Sequence, residues 1–301
     1  MPVAVVCGRG SALEPSLSTL KKKSGEDLHI VACLSALPTL AAHGIRPRYA
    51  VAYDAGAESV NHIIGVDTTE IPLITMTTIE HELLCRWQGR IYMFNQFHPG
   101  FEFFQIGLRA LYPQFDSYFN SGCVGNMALV IADVIGYEPI YLLGIEYPTT
   151  VGETYIPHTW KRGDDGKWYR EESEAKTVTD KMAAVHERYR EYLLATYFGV
   201  KAEPEPKLKP EKEGQPALTQ REKDMYGIYY TRLPQWHRNA AQNFAMIEAE
   251  RKEPKRIHTV HLLSELYSTV KRDTEKPPEV INLSPAASFA DQVPTQRIED
   301  I

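Results

Sequence analysis

The chain has 301 residues, 43% of them apolar, enough to bury a sizeable core in one large or two modest domains. Its 33 basic and 39 acidic residues give a net charge of -6, which excludes bulk electrostatic attraction to nucleic acid or anionic lipid but not a local basic groove. No basic region followed by a long apolar stretch opens the chain, and no run approaches the roughly 18 to 20 apolar residues of a membrane span, so a cytoplasmic protein is expected.

Residues 3–7 form an apolar run that breaks into Gly8, Arg9, Gly10 and Ser11, after which Leu13, Leu17 and Leu20 recur at helical spacing. A strand running through a glycine turn into a helix points backbone N–H groups and the helix's positive end at a phosphate. Leu13 stands where a dinucleotide fingerprint has its third glycine, and no Lys followed by Ser or Thr closes a Walker turn. A tight turn without a ligand is therefore the competing reading.

Further strand-like runs fall at residues 29–34, 49–53, 73–76, 90–94 and 139–143, with helical patterns between several of them. The segment 36–43 ends at Gly44 with Pro47 beyond, and 124–135 ends at Gly136 with Pro139 beyond, the expected helix C-terminal signal. Near-continuous apolar strands alternating with helices predict an α/β, Rossmann-like, mostly parallel sheet with helices on both faces.

The character changes after Tyr147. Tyr155, Trp160, Trp168 and Tyr169 surround a polar turn at 163–166, which predicts a hairpin or mobile loop, and a long helix is expected over 174–197. Residues 201–224 are rich in Pro, Glu and Lys and read as an exposed linker. Helical patterns resume over 234–250 and 261–270, and 280–283 reads as a last short strand. The expected organisation is a nucleotide-binding core over 1–147, an aromatic lid and helix over 148–200, a linker over 201–224, and helices returning to the core over 225–301.

Ligands of open parallel sheets bind outside the carboxyl ends of the strands. Here those ends hold Gly8, Arg9, Gly10 and Ser11, then Ser35, Asp54, Thr75, Thr77, Asn95 and Glu146. The turn Ser121, Gly122, Cys123, Val124, Gly125, Asn126 opens a second helix with free N–H donors. Asp54 and Glu146 each suit either a ribose, metal or substrate hydroxyl or a simple helix cap. His158, on the aromatic segment after the last main strand, is placed to act as a general base or to be an ordinary loop histidine.

Other chemistry-bearing residues read more plainly. Cys7, Cys33, Cys85 and Cys123 lack zinc or disulfide spacing and are expected as buried free thiols. The run His81, Glu82, Leu83, Leu84, Cys85 departs from a zinc-protease helix at its fifth position, so a surface helix is expected there, and His258 with His261 reads as a solvated helix face. No metal site is expected.

Gly8 to Leu13 with Leu17, Leu20 and Lys21 resembles the glycine-containing start of the MptE-like family, which includes archaeal 6-hydroxymethylpterin diphosphokinases and Maf flagellin glycosyltransferases. The runs SALPTLAAHGIRPRYAVAYD, ending at Asp54, and SGCVGNMALVIADVIGYEPIYLLGIEY, from Ser121 to Tyr147, resemble later segments of that family, as do Asn282, Leu283, Ser284, Pro285 and Ser288 near the end. The glycine start is also similar to that of bacterial CMP-sugar sialyltransferases, in which the turn holds the nucleotide and a lid histidine deprotonates the acceptor. His158 corresponds to that histidine by position.

The resemblance implies a transferase using a nucleotide-activated donor, first a nucleotide-sugar glycosyltransferase acting on an unidentified acceptor. The alternative it implies is a pterin diphosphokinase, which would use ATP and magnesium with Asp54 and Glu146 as ligands. A non-catalytic nucleotide-binding module is the third reading.

Overall fold

The computed structural model describes residues 3–8, 11–25, 28–97, 102–119, 122–147, 152, 154–155, 158–162, 168–172, 176–201, 206–215, 217–251, 256–259, 277–284, 287 and 290–301. Its core alternates strand and helix: β1 (Val3–Cys7), α1 (Leu13–Lys23), β2 (Leu28–Cys33), α2 (Leu37–Ala42), β3 (Tyr49–Ala52), β4 (Leu73–Met76), α3 (His81–Arg86), β5 (Ile91–Phe97), α4 (Glu102–Leu111), β6 (Ser117–Phe119), α5 (Val124–Ile135) and β7 (Ile140–Leu143). The expected α/β architecture is present.

Among the described residues the main sheet has nine strands, all paired in parallel. Two come from the C-terminal region: β12 (Ile257–Thr259) joins β5, and β13 (Val280–Asn282) joins β7. The strand order is β12-β5-β4-β3-β2-β1-β7-β13, with β6 on the far half of β5. Successive strand residues face opposite sides, which fixes two cores. Val5, Ile30 and Leu143 pack under α1 with its Leu13, Leu17 and Leu20. Val6, Val31 and Leu142 pack on the other face with Met127, Leu129 and Ile131 of α5.

Beyond β7 come β8 (Thr154–Tyr155), β9 (His158–Arg162), β10 (Trp168–Glu172) and β11 (Lys176–Thr177), followed by α6 (Asp180–Tyr197) and α7 (Gln220–Arg251). β9 and β10 form an antiparallel pair in which Glu172 lies opposite His158. This pair runs alongside α2.

Four expectations change. The helix expected from 174 starts at Asp180, because Lys176–Thr177 is extended against β8 and Thr179 Oγ1 accepts from the Met182 N–H at 3.3 Å as the cap. The helix expected from 234 starts at Gln220, inside the stretch read as linker. A reciprocal capping box builds that start, with Glu222 N–H donating to Thr219 Oγ1 (3.1 Å) and Thr219 N–H to Glu222 Oε2 (2.7 Å). His258 lies in β12 against the Tyr92 ring, its centroid 5.4 Å away, and so is not on a helix face; His261 and the helix expected over 261–270 lie outside the described residues. Cys85 is exposed and Cys123 half-buried, since each sits at a helix end, whereas Cys33 is buried within β2; nothing is described of the Cys7 side chain.

No helix among the described residues is long and apolar enough to cross a membrane.

Candidate functional site

The chain builds outward from β1 through β2, β3, β4 and β5, then crosses back to place β7 on the other flank of β1. That reversal is the topological switch point, and the crevice expected of open parallel sheets falls there, at the carboxyl ends of β1 and β7. Its two walls touch through backbone: Gly8 N–H donates to Leu143 O at 2.7 Å. A Cβ on Gly8 would stand 2.5 Å from Gly144 O, so only glycine fits this approach.

The segment Gly144 to Tyr147 links both helix starts that the sequence singles out. On one side, Glu146 Oε1 accepts from Ser11 Oγ (2.9 Å) and from Ala12 N–H (3.1 Å). The first turn of α1 has no capping side chain of its own, so Glu146 supplies the anion that its N-terminus attracts. On the other side, Tyr147 OH donates to Asn126 Oδ1 at 2.5 Å and lies 3.4 Å from Cys123 Sγ. Asn126 Nδ2 donates to Tyr189 O (2.9 Å), and its N–H caps α5 through Cys123 Sγ (3.3 Å).

These contacts also hold Tyr147 at φ +45°, a conformation that a tyrosine rarely adopts. Burial pushes the Cys123 thiol up and the Tyr147 hydroxyl well up, keeping both neutral at ordinary pH. They serve as hydrogen-bonding groups at the start of α5. Behind the crevice, Gly144 N–H donates to Ser284 Oγ (2.7 Å), and Ser284 N–H donates to Asn282 Oδ1 (3.0 Å). The C-terminal Asn-Leu-Ser segment thus braces the turn that carries Glu146.

The remaining strand ends differ. α7 lies across β3 and β4 and covers them with side-chain amides spaced four residues apart. Gln235 Nε2 donates to Ala55 O (2.6 Å), and Asn239 Nδ2 donates to Ala55 O (3.2 Å) and Thr78 O (3.1 Å). Asn243 Nδ2 donates to Thr77 O (3.0 Å) and Ile79 O (2.9 Å). Asn95 is fully buried: its Oδ1 accepts from Thr77 Oγ1 (2.9 Å), and both Nδ2 hydrogens are spent on Tyr112 O and Phe115 O (3.1 Å each). Its carboxamide braces the chain entering β6.

Asp54 sits at the rim of this covered edge. Its Oδ1 accepts from Gly56 N–H (2.9 Å) and faces Arg232 Nη1 of α7 at 3.6 Å. The strands that lead to Asp54 and Glu146, β3 and β7, are three strand spacings apart, about 14 Å. Ser35 is half-buried in the turn after β2. Arg9, Gly10 and Ser121 lie outside the described residues, as does the His158 side chain; the His158 backbone is in β9.

Sequence reasoning missed Tyr147, Tyr189, Arg232 and the amides of α7. For the amides a signal existed, since Gln235, Asn239 and Asn243 mark one polar stripe on a helix. A cavity of about 720 Å³ lies at the opposite, amino-terminal edge of the sheet beside Arg46, Arg48 and Arg90. It does not coincide with the crevice.

The fold and the crevice define an α/β protein of the Rossmann-like class with its candidate site at the switch point. Residues 2–151 match the family model described as 6-hydroxymethylpterin diphosphokinase MptE-like. The amino-terminal half of the chain belongs to the MptE-like family. No curated protein matches the chain. Among solved structures it is similar to a Maf glycosyltransferase from Magnetospirillum magneticum AMB-1, with 17% identity and a TM-score of 0.41, over 89% of this chain and 48% of the other. The chain thus spans about half the length of that protein.

Proposed function

We propose that this protein is a transferase that binds a nucleotide-activated donor in the crevice between β1 and β7. The observation that carries the reading is the position of Glu146, whose carboxylate rests on Ser11 and Ala12 at the start of α1. The chain's own anion occupies the place where a donor phosphate would lie. Binding then means that phosphate displaces Glu146 from Ser11 Oγ and Ala12 N–H, while the start of α5 flanks the other side.

Within this class we favour glycosyl transfer from a nucleotide sugar. The β9–β10 pair beside α2 acts as the lid, and His158 on it takes the proton from an acceptor hydroxyl as the sugar–phosphate bond breaks. Gly8, Ser11, Gly122, Cys123 and Asn126, with Arg9, Gly10, Ser35 and Ser121, form the donor side.

The family description favours a second reading, in which diphosphate passes from ATP to a hydroxymethylpterin. That chemistry draws on magnesium, which stabilises charge on the phosphates. Glu146 suits it as one ligand, because magnesium is usually bound by one or two carboxylates together with substrate phosphates. Asp54, beyond the end of β3, would be the second.

Thermal-shift screening against CMP, UDP, GDP, ATP and pterins, with and without magnesium, tests the proposal. A ligand at about 100 times its dissociation constant adds about 2.7 kcal/mol of stability. Stabilisation by CMP, UDP or GDP without magnesium favours glycosyl transfer, and stabilisation by ATP that needs magnesium favours the diphosphokinase. No response to any nucleotide overturns both.

A further inference from the structure

On α3, outside the crevice, Cys85 Sγ lies 3.3 Å from His81 Nε2, and His81 Nδ1 lies 2.9 Å from Asn243 Oδ1 of α7. Backbone carbonyls determine how protons are arranged along this chain of groups. Asn243 spends both Nδ2 hydrogens on Thr77 O and Ile79 O, so the atom it turns to His81 is an acceptor. Nδ1 must therefore carry the imidazole proton in the neutral ring. Nε2 is left with its lone pair, and the Cys85 S–H is the donor to it.

A nucleophile bonded to a base that a third group orients is the arrangement that activates side chains for attack. The order of burial suits it. Asn243 is fully buried, His81 half-buried and Cys85 exposed, so the rigid end is inside and the reactive end meets solvent. The helix supplies the spacing, since residues four apart lie on one face.

We propose that Cys85 is a nucleophilic thiol, activated by His81, that exchanges with low-molecular-weight disulfides. His81 Nε2 takes the Sγ proton as the sulfur attacks one sulfur of the disulfide. A new S–S bond forms, the old one breaks, and the departing thiolate recovers the proton from the imidazolium. A mixed disulfide on Cys85 and one free small thiol result.

The test is site-resolved mass spectrometry of the full chain after brief native exposure to oxidised glutathione, and separately to iodoacetamide, at one neutral pH. Modification is expected first at Cys85, ahead of buried Cys33 and half-buried Cys123, and faster than at a cysteine in an unstructured peptide. His81→Ala and His81→Gln should each slow Cys85 about tenfold, provided the circular dichroism is unchanged. Denaturation of the wild type in urea should bring Cys85 to the peptide rate, which keeps the test valid if either variant misfolds. A native Cys85 rate no higher than that of the peptide, or one unaffected by both His81 variants, would overturn the proposal.

Discussion

Two stretches of the same sheet edge are finished in opposite ways. At β1 and β7 the walls meet through bare backbone at Gly8 and Gly144, and the Glu146 carboxylate rests on Ser11 and Ala12 at the start of α1. At β3 and β4 the carbonyls of Ala55, Thr77, Thr78 and Ile79 are taken up by three amides of α7. Lying at a carboxyl strand end is therefore not enough to make a site. What a later element does with the polar groups there decides whether the end can accept a ligand or only holds the fold together.

That contrast can be broken most forcefully at the proposed base. With the donor found by ligand screening, His158→Ala should lower turnover roughly 100- to 10,000-fold while donor affinity stays near wild type. Unchanged turnover would remove the β9–β10 pair from the chemistry.

The covered edge should respond in stability instead. Asn243→Ala leaves Thr77 O and Ile79 O without their partner and should cost about 3 kcal/mol in urea unfolding, with nucleotide affinity preserved. A stable variant with weakened nucleotide binding would reverse the roles assigned to the two regions. The smallest effect is expected from Tyr147→Phe. Losing the hydroxyl bond to Asn126 should cost about 1 kcal/mol of stability and leave the Gly8 turn intact.

Much of the fold was legible in the sequence because it rests on local signals. The strands at 3–7 and 73–76 and the helix at 124–135 keep their expected bounds, since apolar runs there end at glycine or polar turns. β6 and β12 were not legible. Each is three residues long and extended because β5 offers a free edge, which no local pattern records.

The candidate site was legible in part for the same reason. Gly8, Ser11, Glu146, Cys123 and Asn126 gather around the crevice because each lies next to a recognisable strand end or helix start. Asn95 and Thr77, chosen by that rule too, bond to each other instead. The element that closes over their edge, α7, comes far later in the chain, with Asn243 acting on Thr77 across 166 residues, and the sequence expected only helices returning to the core there. Glu146 as cap of α1 was equally hidden, since it acts across 134 residues.

The central claim is that Glu146 holds the place of the donor phosphate. Titration calorimetry of the preferred nucleotide without magnesium, on wild type, Ser11→Ala and Glu146→Gln, tests it most directly. Glu146→Gln removes the competing charge but keeps an acceptor for Ser11 and Ala12, so affinity should rise about tenfold, while Ser11→Ala should lower it several-fold. Nucleotide affinity that is the same in all three proteins would contradict the account.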